Sequence, residues 1–155
     1  MSFILATLVY ALRDDQVLML YRHKEPNLDL WIAPGGKIDP NESSRECAIR
    51  ELYEETGLKA VNPELRAVVT ELSPRPDWQW LMFIYRTQVE AGEINGDDRE
   101  GRLQWFHRNE VIHLPIPQAD AIFYPLVVDP DGPAVEMQFW YDDELKLIRW
   151  EQTPI

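Results

Sequence analysis

Between Gly36 and Leu58 the chain spells out both ends of a helix and crowds three glutamates onto one of its faces. Ser43 with Glu46 three residues later is a capping-box pattern, and Gly57 suits a C-terminal cap, so a helix is predicted over about 44 to 56. At 3.6 residues per turn Glu51, Glu54 and Glu55 share a face, while Cys47, Ala48 and Leu52 supply the opposite, buried stripe. Like-charge pairs at these spacings cost roughly 0.2 to 0.5 kcal/mol each in an isolated helix, and Arg45 or Arg50 offsets only part of that. A hard divalent cation would offset more, because Mg²⁺ and Mn²⁺ prefer oxygen ligands. Taken alone, the three acids read equally as a solvated charged face.

The rest of the chain predicts a mixed sheet around that helix. Phe3 to Leu12 and Gln16 to Arg22 are β-rich and flank a hairpin turn at Arg13-Asp14-Asp15; Trp31 to Ala33 is a short apolar segment stopped by a turn signal, Pro34-Gly35-Gly36. Further strands are expected at Leu65 to Leu72, Trp78 to Val89 and Leu103 to Phe106. A second helix is expected at Gln118 to Val127, and a closing hairpin, Ala134 to Tyr141 with Leu145 to Glu151, around Asp142-Asp143-Glu144. With 155 residues, 45% of them apolar, one domain spanning 1–155 is expected.

Fifteen Lys and Arg against 27 Asp and Glu leave a net charge of -12, which opposes contact with long polyanions or an anionic membrane. A small phosphorylated substrate stays compatible if divalent cations bridge carboxylates to phosphate oxygens. No apolar run reaches the length of a membrane span, and the N-terminus lacks the pattern of a signal peptide, so a cytoplasmic location is expected. The lone Cys47 reads as a small core residue.

Gly36, five residues, Glu42, seven residues, Arg50-Glu51, an apolar Leu52, Tyr53, Glu54-Glu55, Thr56, Gly57 and an apolar Leu58 resemble the Nudix box at every defined position. Chance agreement at all of those positions is on the order of 10⁻⁹ per window at ordinary residue frequencies. The resemblance implies an α/β/α sandwich with a mixed central sheet and hydrolysis of a nucleoside diphosphate linked to another group. It also implies a Mg²⁺ or Mn²⁺ site formed by the Gly36 carbonyl, Glu51, Glu54, Glu55 and a loop residue, Glu100, with Asp97 and Asp98 as neighbours able to replace it. Arg50 would orient the carboxylates and Glu42 would brace the loop before the helix.

Outside the box the chain resembles MutT-like 8-oxo-purine nucleoside triphosphatases over most of its length. That resemblance implies phosphate contacts from Arg22 and Lys37, although Lys37 also reads as a solvated loop lysine. It makes Asp120 a reader of the base. Two acidic residues expected before the second helix are Ala119-Asp120 here, and an asparagine expected after Trp31 is Ile32, which removes a bidentate amide. Trp80, with Trp78, either stacks on a base or packs in the core. His23, His107 and His113 share no ligand spacing and receive no role. The reaction implied is attack of water in line on phosphorus, with Glu51, Glu54 or Glu100 as base, giving a monophosphate and pyrophosphate. Other Nudix substrates (ADP-ribose, a nucleotide sugar, a dinucleoside polyphosphate) and a non-catalytic nucleotide sensor are the alternatives. Oligomeric state is left open by the sequence.

Overall fold

Strand β1 (Ile4–Arg13) reads as a near-continuous apolar run because both of its faces are covered, and the other elements assemble around it. The computed structural model describes residues 2–95 and 101–155. In chain order the further elements are β2 (Gln16–Arg22), β3 (Trp31–Ile32), β4 (Gly35–Lys37), α1 (Ser44–Thr56), β5 (Ala60–Leu72), β6 (Trp80–Val89) and β7 (Gly101–His107). After a 3-10 turn at Val111–His113 come α2 (Gln118–Val128), β8 (Val135–Tyr141) and β9 (Leu147–Pro154). The strands form one sheet in the order β3-β2-β1-β6-β5-β8-β9, with β4 also on β1 and β7 also on β2. β1 with β6 and β5 with β8 run parallel, and the other pairs are antiparallel.

The alternation of side chains along β1 sorts the core into two layers. Val9 and Ala11 join Leu18 and Tyr85 beneath Ala48 and Leu52 of α1. Ala6, Tyr10 and Leu12 turn the other way, joining Val69, Ile84, Met137 and Phe139 beneath Phe123, Tyr124 and Val127 of α2. The expected α/β/α sandwich is therefore what the chain forms. No helix among the described residues is long and apolar enough to cross a membrane.

Helix α1 matches its predicted bounds, since its ends are set locally. The Ser43 hydroxyl accepts from the Glu46 N–H at 3.0 Å, the Glu46 carboxylate accepts from the Ser43 N–H at 3.0 Å, and Gly57 closes the helix at φ 77°. Elsewhere the structure departs from expectation. Pro34-Gly35-Gly36 is not simply a turn: Gly35–Lys37 is a strand, with Thr7 opposite Gly36. A Cβ on Gly35 would lie 2.1 Å from the Thr7 carbonyl oxygen, so the glycine serves close approach of two backbones rather than chain reversal. β5 begins five residues before the expected Leu65, because register shifts around Asn62 and Pro63 carry a proline within a strand. Trp78 lies outside β6, in a loop held by the Gln79 amide donating to the Ser73 and Arg75 carbonyls. β9 starts after Leu145, whose φ of 60° belongs to the turn, and runs on to Pro154.

Candidate active site

The first turns of α1 lie against β4, and that packing places the box glutamates. Cys47 is fully buried at this junction, its Sγ 3.4 Å from Thr7 Oγ1 and 3.5 and 3.7 Å from the Lys37 and Gly36 carbonyl oxygens. Burial pushes its thiol up, which keeps it protonated and inert as the expected core residue. One turn later the Glu51 carboxyl rests directly on Gly36: a Cβ there would sit 2.6 Å from the carboxyl carbon and from Oε1. Four residues further, Glu55 Oε2 accepts from the Gly35 N–H at 2.9 Å. The two glycines thus differ in task, one facing β1 and the other making room for a carboxylate.

Arg50 is the hub of the site. Its Nε and Nη2 hold the two Glu42 oxygens at 2.6 and 2.9 Å in a bidentate fork, and Nη2 also reaches the Lys37 carbonyl at 3.3 Å and Asp39 Oδ2 at 3.3 Å. Its remaining nitrogen, Nη1, donates to both Glu51 Oε1 at 2.9 Å and Glu54 Oε2 at 3.2 Å. The crowded charges of the helix are therefore compensated in large part by one guanidinium. Hydrogen bonds from Arg50 and from the Asp39 N–H hold the Glu42 carboxyl down at about 2, while Arg50 itself is pushed up by these same partners. Burial pushes Glu51 above the usual carboxylate range, the Arg50 bonds pull it back, and the Glu54 charge adds to the rise.

Arg50 thus contacts both Glu51 and Glu54, and Glu42 accepts from the Asp39 N–H at 3.0 Å in the loop before the helix. Among the described residues no three acidic, histidine or cysteine side chains close on one another as a ready-made cation cage. Glu51 and Glu54 meet on Arg50, and Glu55 is held by β4. Glu54 is mostly exposed, Glu51 is half-buried on the Gly36 cradle, and the Glu51, Glu54 and Glu55 carboxylates with the Gly36 carbonyl are oxygen donors, which suits a hard divalent ion in character. Glu100, with Asp97 and Asp98, lies outside the described residues.

The expected substrate contacts are distributed around the sheet. Lys37 is exposed at the end of β4, with only its carbonyl engaged by Arg50 and Cys47. Arg22 ends β2 and donates to the Lys24 carbonyl at 3.3 Å, which fixes its guanidinium over the following turn. Trp80 is half-buried at the start of β6, edge-on to Trp78 with ring centroids 6.4 Å apart; Trp78 in turn meets Tyr141 at 4.9 Å. Ile32 is buried in β3.

Asp120 is buried in the first turn of α2, and its neighbour across the layer is an acid that sequence reasoning passed over. Glu71, near the end of β5, is 8% exposed and accepts a short hydrogen bond from the Tyr141 hydroxyl. Burial pushes Glu71 up to about 7 against the pull of that bond. Burial likewise pushes Asp120 well above the carboxylate range, the Glu71 charge adds to it, and only its own backbone N–H opposes. The signal for Glu71 was present: Ala67, Val69 and Glu71 alternate on the core face of β5, which puts a carboxyl where the pattern requires an apolar group.

Comparison with known proteins agrees with this geometry. The family model of the Nudix domain matches residues 3–127. The Nudix hydrolase YvcI of Bacillus subtilis is 33% identical over 144 residues, spanning 91% of this chain and 89% of that one. A second B. subtilis protein, provisionally named an 8-oxo-dGTP diphosphatase, is 34% identical over 98 residues, which are 63% of this chain and 62% of its own. Among solved structures, a MutT protein from Bacillus halodurans superposes with a TM-score of 0.86 at 29% identity, covering 99% of both chains. A family match over most of its length, together with a relative one-third identical over about nine-tenths of both chains, places the chain in the Nudix hydrolase family.

Proposed function

We propose that this Nudix hydrolase cleaves nucleoside triphosphates to a monophosphate and pyrophosphate, with Mg²⁺ or Mn²⁺ as cofactor. The observation that carries the reading is the Glu51 carboxyl seated on Gly36 while Arg50 ties it to Glu54 and Glu42. Such an assembly fixes two carboxylates at one rim of the helix beside a permanent cation. The divalent ion would supply neutralisation of the phosphate charge and activation of the attacking water. Gly36, Glu51, Glu54 and Glu55 would hold it, with Glu100, which lies outside the described residues, as the further ligand. Glu54, mostly exposed and held by Arg50 Nη1, would take the proton from water, with Glu51 and Glu100 as the other candidate bases. Lys37 and Arg22 would meet phosphate oxygens from either side.

The base falls to Asp120 and Glu71. Burial raises both carboxyls, and the Glu71 charge raises Asp120 further, so the pair would offer both a donor and an acceptor to a purine edge. Trp80 with Trp78 provides an aromatic flank. The second reading is another Nudix substrate, such as ADP-ribose, a nucleotide sugar or a dinucleoside polyphosphate. Buried Ile32 favours it, since an apolar side chain there contributes no hydrogen bond to a base.

Initial rates on a panel of 8-oxo-dGTP, ordinary dNTPs, ADP-ribose, a diadenosine polyphosphate and a nucleotide sugar, with Mg²⁺ in excess, separate the two readings. The first predicts pyrophosphate release from triphosphates, and a preference for 8-oxo-dGTP over dGTP of about a hundredfold, near 2.7 kcal/mol, would fix the substrate as an oxidised purine. Exclusive turnover of another diphosphate establishes the second reading, and binding without turnover of any substrate overturns both.

A further inference from the structure

Strand β9 ends the sheet, and its sequence is complementary to itself. It is exposed along nearly its whole length, with Ile148 at 64%, Trp150 at 43% and Ile155 at 71%, although neighbouring β8 is mostly buried on its core face. An edge this exposed presents unpaired backbone groups to any second strand. The outward groups can be identified. The Ile155 N–H donates to the Ala134 carbonyl, and Val135 faces Pro154, so the alternation of an antiparallel ladder turns the backbone of Arg149, Glu151 and Thr153 toward β8. Trp150 and Gln152 therefore direct their N–H and C=O groups away from the sheet. A register shift beside Tyr141 and the missing N–H of Pro154 bound this open stretch on either side.

We infer that β9 pairs antiparallel with β9 of a second copy of this chain, centred on Trp150, so that one sheet runs through both. Several in-phase registers present the outward groups to each other, and among them only the one centred on Trp150 pairs opposite charges. Centring on Trp150 puts Arg149 opposite Glu151 of the second copy, and by two-fold symmetry does so twice. Sliding by one step toward either end sets Arg149 against Arg149 or Glu151 against Glu151. In the favoured register Trp150 exchanges two backbone hydrogen bonds with its counterpart, and the two indoles meet on the face where Trp150 already stacks on Phe139, at 6.4 Å and 24°. Arg149 lies over the Trp140 ring of β8 at 4.0 Å, on the sheet face opposite Trp150, and swings outward from that ring to meet the incoming glutamate. The hairpin lies beyond residues 3–127, the region matched by the family model.

Charge exchange tests the inference on the full chain. Sedimentation of the wild type across the micromolar range is expected to give a mass of twice 18.2 kDa. Arg149→Glu and Glu151→Arg, each confirmed as folded by circular dichroism, are expected to weaken self-association about tenfold or more, because each sets like charges opposite twice. Mixed in equal amounts, the two variants restore opposite charges at both positions and are expected to re-form the dimer. A monomeric wild type, single variants that remain as dimeric as the wild type, or a mixture that stays monomeric would each overturn the inference.

Discussion

At the residue scale the site turns on two side chains of different character, Gly36 and Arg50. Gly36 is needed for the hydrogen it carries: an added methyl would meet the Glu51 carboxyl at 2.6 Å and push it off its seat. Gly36→Ala is therefore expected to lower kcat/KM by about ten- to a hundredfold, roughly 1.4 to 2.7 kcal/mol. The melting temperature should move little, because the displaced group is the end of a flexible side chain; steady-state kinetics alongside thermal unfolding checks both. Arg50 holds Glu42 far below the ordinary carboxylate value of 4.5, at about 2. A depressed folded pKa gives stability that is present above the ordinary value and lost as pH falls toward the folded one. Urea titrations of wild type and Glu42→Gln should therefore diverge at pH 6 and converge near pH 2. Equal stability of the two proteins at pH 6 would show that the fork contributes nothing. The box spacing made Gly36, the glutamates and Arg50 as their orienting partner legible, but not the seating of the Glu51 carboxyl on Gly36 or the Glu55 bond to the Gly35 N–H, because both depend on how α1 packs on β4.

At the scale of elements, helix α1 is held by its ends. Loss of the Ser43 hydroxyl orphans the Glu46 N–H, so Ser43→Ala is expected to cost about 1 kcal/mol, read as a shift of the urea midpoint at unchanged slope. Gly57→Ala should cost at least as much, since φ is 77° and the new Cβ would sit 2.7 Å from the Asn95 carbonyl oxygen. Both capping signals are local in the chain, which is why α1 could be bounded to the residue from sequence. β4 and the first half of β5 could not. Pro34-Gly35-Gly36 and Asn62-Pro63 carry turn chemistry, yet each lies in a strand because of a neighbour remote in sequence: β1 for the first and β6 for the second. Trp78 shows the converse, a strand-like residue drawn into a loop by the Gln79 amide.

At the scale of the whole molecule, the sheet separates two acidic layers with different tasks, one on the α1 side around Arg50 and one on the α2 side around Glu71 and Asp120. Among the described residues no cation is hydrogen-bonded to the second, and burial raises both of its carboxyls. For Glu71 the folded pKa, about 7, lies above the ordinary 4.5, so its contribution is fully present below the ordinary value and fades as pH rises through 7. Wild type is expected to lose on the order of 1 to 3 kcal/mol relative to Glu71→Gln between pH 4.5 and 7.5. Parallel pH profiles for the two proteins would remove Glu71 from this role. Sequence reading found the fold class and Asp120 but not this pairing, because Glu71 and Asp120 come together only when α2 is laid on β5. The most direct test of the hydrolase account is pyrophosphate release from a nucleoside triphosphate with Mg²⁺ in excess, wild type against Glu54→Gln. The account predicts a fall in kcat of about a hundredfold or more with an unchanged melting temperature. Turnover within a few-fold of wild type would contradict it.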